Sequence, residues 1–277
     1  SAASTNNNGV VPNNSYHRYN FNVRNTTSLF EDKLQLDFGA AYIKQKDMNM
    51  VSQGEYWNPI VAAYLYPRGE DFGKIKTFER YDTTRNFPVQ YWPISENTFA
   101  PQNPYWTAYR NLAANNKDRF MFNTGVSYKI NSWANVAARA RMDKSFVNFE
   151  RKIYASSNDI FAKPNGAYEY ANYKDHQFYS DVIATINKQL FDDWSLMFNL
   201  GASYSDFDAV ERGYGGNLQL VPNLFAIQNI TPSEGKISEK YGDARRRNVA
   251  AFGNAEIGFK RCAYLTLSGR NEWDSRL

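Results

Sequence analysis

Along much of this chain, apolar residues alternate with polar or small ones. A strand takes on that period of two when one face meets an apolar phase and the other meets water. The stretch Gln189 to Tyr204, QLFDDWSLMFNLGASY, shows the alternation on both sides of the break Phe191-Asp192-Asp193-Trp194 and so predicts a hairpin with a tight turn. Breaks of the same kind occur in LFEDKLQLDF (29–38), YKINSWANVA (128–137) and GFKRCAYLTL (258–267). Together they predict strands over 19–29, 34–43, 120–130, 134–143, 178–188, 195–204, 249–259 and 263–272. Tight turns alternate with irregular segments of roughly 30 to 70 residues, rich in Asn, Pro, Gly and aromatics and far beyond the usual connection length.

Each predicted strand is about the ~9 to 11 residues that cross a bilayer when tilted. Short turns at one end and long loops at the other are the pattern of outer-membrane barrels. The distribution of charge along the two faces agrees. One parity collects Phe21, Val23, Leu36, Phe38, Tyr42, Phe120, Phe122, Val126, Val136, Val182, Phe198, Leu200, Val249, Ile257 and Leu267, with no Asp, Glu, Lys or Arg among its positions. The other carries Arg24, Asp37, Lys129, Arg139, Arg141, Asp143, Asp181, Glu256 and Arg270, interleaved with Asn. The expected fold is therefore all-β, a transmembrane antiparallel up-and-down β-barrel segment of about eight strands with long extracellular loops. A soluble sandwich also alternates, with its apolar face turned inward; the asymmetry of loop length favours the membrane. Asn25 and Ser180 are exceptions on the apolar face.

Composition narrows the alternatives. The mean hydropathy is −0.64, and apolar runs such as Ile60 to Tyr66 fall far short of the ~20 residues of a spanning helix. Lys and Arg (32) barely exceed Asp and Glu (28), which gives no concentrated basic footprint for nucleic acid. One cysteine, Cys262, excludes an internal disulfide framework, and with only His17 and His176 besides, neither a metal site nor a cofactor is expected. The first residues, SAASTNNNGVVPNNS, have no basic and apolar regions of a secretory signal and predict a polar loop, so the chain is expected to begin after processing or within a longer protein.

Several stretches, in order, resemble the SusC/RagA-like family of TonB-dependent outer-membrane transporters: SYHRYNFNVRNTT (15–27), YWNPIVAAYLYPRG (56–69), NPYWTAYRN (103–111), KDRFMFNTGVSYKI (117–130), LVPNLFAIQNI (220–230) and AYLTLSGRNEWDSRL (263–277). The resemblance implies a 22-stranded barrel of the bacterial outer membrane, plugged by an N-terminal domain and covered by a SusD-like surface lipoprotein lid. In that family TonB pulls on the plug to drive import of glycans or peptides. Residues 1–277 would form a middle part of the barrel domain, with the plug, and the TonB contact it carries, absent from this chain. The ending Asp274-Ser275-Arg276-Leu277, rather than a terminal aromatic strand, agrees with truncation. A passive porin, a surface adhesin barrel and a soluble carbohydrate-binding β domain remain as alternatives.

Candidate functional residues fall into three sets. In the segment from Met48 to Arg110, the aromatic pairs Tyr56-Trp57, Tyr91-Trp92 and Tyr105-Trp106, with Arg68, Arg80 and Arg110, are candidates for contact with substrate or lid. The simpler alternative is that these aromatics form the core of a long loop. Arg24, Asp37, Arg139, Arg141, Asp143, Asp181, Glu256 and Arg270 are expected to line the lumen, either along a substrate path or paired with one another and with the plug. Arg245-Arg246-Arg247 is placed near the outer membrane surface, where lipopolysaccharide phosphates or neighbouring carboxylates would pair with it. Tyr19, Tyr42, Tyr128, Trp133, Trp194, Tyr204 and Trp273 suit interfacial girdles. No enzymatic constellation emerges: Glu70-Asp71 and Asp192-Asp193 are adjacent rather than opposed, and GEDFGK (69–74) lacks the spacing of a phosphate loop.

Overall fold

The structure is a computed structural model that describes residues 1–50, 54, 56–93, 101–230, 236–260 and 262–276, with the backbone alone over 236–242. Its main feature is one nine-stranded antiparallel sheet in the order β1-β2-β3-β6-β7-β8-β9-β10-β11. The strands are β1 (Ala2–Asn8), β2 (Ser15–Leu29), β3 (Leu34–Met48), β6 (Asn111–Lys129), β7 (Ala134–Tyr154), β8 (Gly166–Phe191), β9 (Trp194–Asn217), β10 (Lys236–Phe259) and β11 (Ala263–Asp274). Apart from the small ribbon described next, each strand pairs with its neighbour in sequence. This is the meander of a barrel wall.

Between β3 and β6 the chain forms a separate small unit. It comprises helix α1 (Pro59–Tyr64), a 3₁₀ turn (Phe72–Lys76), a ribbon of β4 (Glu79–Asp82) and β5 (Phe87–Gln90), and helix α2 (Pro104–Arg110). Both helices start in the same way. Asn58 and Asn103 accept side-chain hydrogen bonds from the N–H groups of Ile60 and Tyr105, and a proline fills the first helical position, where no donor is missed.

All eight expected strands are present, and the tight turns lie where the breaks in alternation put them; Arg261, in the last turn, lies outside the described residues. Two expectations change. The strands run well past the apolar band at the ends away from the tight turns, so the connection between β7 and β8 shrinks to 155–165 and that between β9 and β10 to 218–235. Segments such as FVNFERKIY (146–154) carry charge or aromatics on both faces, because beyond the bilayer water meets both sides while the backbone ladder continues. The N-terminal segment, expected as a polar loop, is strand β1, which pairs only with the outer half of β2, from Ala2 opposite Phe21 to Asn8 opposite Ser15.

The register shows where the bilayer sits. Outward apolar positions run over Leu34–Tyr42, Phe120–Tyr128, Ala134–Met142, Phe178–Ile186, Leu196–Tyr204 and Val249–Ile257. The upper boundary is slanted with respect to the pairing. Tyr42 lies opposite Phe120, but the same row continues as Lys144 and His176 on β7 and β8, then Asp208 and Arg245 on β9 and β10. Going along the sheet, the boundary drops one outward position at β7 and one more at β9, as strands tilted across a flat interface require. Aromatics mark it: Tyr42 stacks on Phe120 at 4.9 Å between centroids, and Phe178 meets Tyr204 at 6.2 Å. Trp194 and Phe259, 4.8 Å apart, mark the opposite boundary beside the tight turns.

The apolar face has no second layer among the described residues. Phe38 is 50% exposed, Leu200 56% and Leu267 64%. In a sandwich these side chains would be the core; an apolar face left uncovered by the described residues suits a wall whose outer phase is lipid. In the full-length protein, Leu200→Arg should destabilise the membrane-inserted state by about 2–4 kcal/mol, the depth-dependent cost of a midplane cation. Ile183→Arg, on the opposite face of the neighbouring strand, should cost clearly less. Denaturant titration in lipid vesicles would show this, and equal losses would refute the assignment of faces.

Candidate functional site

The inward face is a lattice of charges and amides. Arg119 Nε donates to Asp143 at 2.9 Å, and Arg139 Nε to Asp181, whose side chain is almost wholly buried, at 2.9 Å. Arg24, Asn123, Arg139, Arg141, Asp143 and Asp181 line one groove on this face. Gly125 lies opposite both Asp37 and Arg139 in the register. Among the described residues no carboxylate pairs with Arg24 or Arg141, so the groove carries an excess of positive charge. Farther along the wall, Thr185, Asn199 and Asn254 form a hydrogen-bonded row at 2.7 and 2.8 Å, Glu256 accepts from Thr266, and Arg270 pairs with Glu272 at 3.1 Å. The eight expected lumenal residues thus fall into one cluster of six, including Asp37 at its edge, and an outlying pair, Glu256 and Arg270.

Beyond the band, two connections fold together over the inward side. Trp57 lies 4.3 Å from Phe161, centroid to centroid, and with Tyr56 packs on a cluster of Ile153, Phe161, Ala162 and Ala167. Ile153 and Ala167 are register partners with the parity of the charged inner face. Arg151, of the same parity, places its guanidinium 5.2 Å from the Trp57 ring and pairs with the buried Glu169 at 3.2 Å. The connection from β9 to β10 folds the other way. Leu218 and Ile230 pack on Tyr168, with Tyr170, Tyr214 and Phe225 around them, all on strand positions of outward parity or in the loop itself. Asn229 holds that loop closed, accepting from the N–H groups of Leu220 and Val221 and donating to the carbonyls of Val221 and Leu224.

The nine loop candidates have different surroundings. Trp106 is fully buried, and its indole N–H donates to Ser157 Oγ at 2.9 Å, so it is core, out of reach of a ligand or partner. Buried Asn103 ties that core together through the carbonyls of Ile75 and Tyr91. Arg110 makes two bonds of 2.8 Å to Glu79 and lies 5.1 Å from the Tyr154 ring, which commits its charge within the loop. Tyr91 lies under Arg80, Trp92 beside Tyr66, and Tyr105 is half-buried at the start of α2. Arg68 is exposed, as are Tyr64 and Leu65. Tyr56 and Trp57 are the pair at the mouth. Arg151 and Glu169 were missed because 144–177 reads as irregular; the signal was their shared parity with Arg139 and Arg141, continued past the apolar band.

Burial, followed by the 3.0 Å hydrogen bond to Glu150, pushes the Tyr168 phenol up to about 12. A difference titration by ultraviolet absorbance between the full-length protein and Tyr168→Phe should show one phenol ionising near that value, whereas a difference curve centred at an ordinary value of about 10 would mean the outward loop is open. Trp106→Ala should cost the loop unit about 3–5 kcal/mol. The cost would appear as protease cleavage within 49–110 while the barrel stays intact.

No protein-family model and no curated protein sequence matches the chain. Solved structures do. A RagAB peptide importer in a closed-closed state matches with a TM-score of 0.68 and 14% identity over 99% of this chain, and in an open-open state with 0.67 and 15% over 95%. The ferric preacinetobactin receptor BauA of Acinetobacter baumannii matches with 0.53 and 10% identity over 98% of this chain and 36% of its own. This chain spans only 28–29% of the RagAB chains it matches. It has the fold of a barrel-wall segment of outer-membrane transporters, the integral membrane architecture of the SusC/RagA-like family that its sequence resembles.

Proposed function

We propose that the chain forms part of the wall and outer mouth of a TonB-dependent importer of peptides or glycans that works beneath a SusD-like lipoprotein lid. The observation that favours this reading is the inward-folded pair of connections, which sets Trp57, Tyr56 and Arg151 over a positively charged inner groove. A mouth closed in by its own loops suits capture of a solute, whereas an open aqueous pore suits passive diffusion. The higher TM-score with the RagAB importer than with BauA, together with the sequence resemblance, supports the lidded kind. TonB would act through a plug domain outside this chain. Arg68, Tyr64 and Leu65, exposed on the outer side of the loop unit, are where a lid would dock.

The test is uptake by cells carrying the full-length protein, with fluorescent oligopeptides and oligosaccharides supplied with and without a proton gradient. Import of one class should stop when the gradient collapses. Trp57→Ala with Arg151→Gln should reduce uptake several-fold while leaving the protein in the membrane, and Arg68→Glu should weaken co-purification of the lid. Uptake indifferent to the gradient would establish a passive porin instead.

A further inference from the structure

The outward face carries a second pattern, just beyond its apolar band. On β3, β7, β8 and β10 the first two outward positions past the boundary include Lys44, Lys46, Lys144, Lys174, Arg245 and Arg247. The carboxylates at the same level, including β6, are Asp118, Asp206 and Asp208, three against six cations. At ~3.3 Å per residue these positions stand about 7 and 13 Å along the tilted strands past the aromatic boundary, the level of lipid headgroups rather than of free water.

Local pairing leaves much of this charge available. Arg245 Nη2 and Arg247 Nε both reach the single carboxylate of Asp206, at 2.9 and 3.5 Å, while about half of each arginine side chain stays exposed. Asp208, opposite Arg245 in the register, is the other acid at hand. Lys144 lies 5.5 Å from the Phe146 ring, and among the described residues no carboxylate pairs with Lys144 or Lys174. Arg246, between the two outward arginines, points through the wall and pairs with Asp274. The run Arg245-Arg246-Arg247 is thus not one basic patch but two outward cations and one inward one.

We propose that this belt, centred on Arg245, Arg247, Lys144 and Lys174, binds the phosphate groups of phosphorylated lipid in the outer leaflet. A guanidinium fork and a lysine ammonium suit tetrahedral phosphate oxygens, and the belt's excess of cations matches their charge. The inference rests on the outer-membrane reading of the fold but on no assumption about the cargo. It ties the tilt of the strands to lipid: the two cationic levels step with the slanted boundary from strand to strand, so each keeps its distance from the apolar band.

The experiment uses the full-length transporter, delipidated in detergent and incubated with micelles containing diphosphorylated or dephosphorylated lipid A. Retained lipid is read by native mass spectrometry. The phosphorylated form should be retained preferentially. Arg245→Gln with Arg247→Gln, and separately Lys144→Gln with Lys174→Gln, should each lower retention by roughly five-fold or more, as the loss of charge-assisted contacts predicts. Arg246→Gln should leave it unchanged. Equal retention of the two lipids, undiminished retention in both double variants, or an equal loss in Arg246→Gln would overturn the proposal. Displacement of the lipid by millimolar inorganic phosphate would assign the belt to a free anion and overturn it too. Because retention needs neither cargo nor energy, its failure leaves import standing, and failed import leaves the belt standing.

Discussion

The constraint on which the rest of this structure depends is that a backbone within lipid must satisfy its own hydrogen bonds. Strands meet it only by pairing on both sides, which makes the sheet continuous and each neighbour in sequence a neighbour in space. Across the band β3 and β6 to β10 are paired on both edges, while β2 meets β1 only over its outer half and β11 leaves one edge open. Once the ladder is imposed, the side-chain period of two is the only freedom left, and the two phases on either side of the wall sort the residues. Even the exceptions conform: Asn25 on the apolar face donates to Thr27 at 3.2 Å on the same strand, so a polar pair satisfies itself where water is absent.

From the same constraint follows the division of labour along each strand. Within the band, outward side chains are apolar and inward ones are charged or amide, compensated by neighbours such as Asp181 for Arg139. Past the band the ladder continues, but the demand on the outward face ends. There the sequence becomes free to place Tyr168, Tyr170 and Tyr214 outward as a platform for one loop and Ile153 and Ala167 inward as a platform for another. Opposite parities of one extended sheet thus carry a mouth on one side and a buttress on the other.

What the sequence revealed follows the strength of that sorting. The tight turns and the apolar band were legible because a single misplaced charge at those positions is costly, and so they alternate almost without exception. The outer halves of β7 to β10 were not, since YEYANYKDH (168–176) gives no apolar face to detect and its strand character comes from pairing with β7 and β9. For the same reason SAASTNNN concealed β1: it lies above the lipid, where Asn and Ser serve as well as Val. The lumenal charges were legible by parity, yet their partners were not, because Arg119 with Asp143 and Arg139 with Asp181 depend on register between strands.

The aromatic pairs illustrate what this means for function. A loop unit of this size has no sheet to bury its side chains against until it builds its own interior, and the most buried members of its sequence, Trp106, Ile75 and Asn103, are consumed in doing so. In the proposed importer, recognition would then come from groups that the core does not claim but does hold in place. Trp57 meets both conditions, fixed on Phe161 yet half-exposed beside Arg151, and Arg151 is itself set by buried Glu169 on the next strand. Selectivity built on these residues, as proposed, would be anchored to the wall rather than to the loop alone, and motion of the loop unit would change the distance between ring and guanidinium without disturbing the ion pair beneath.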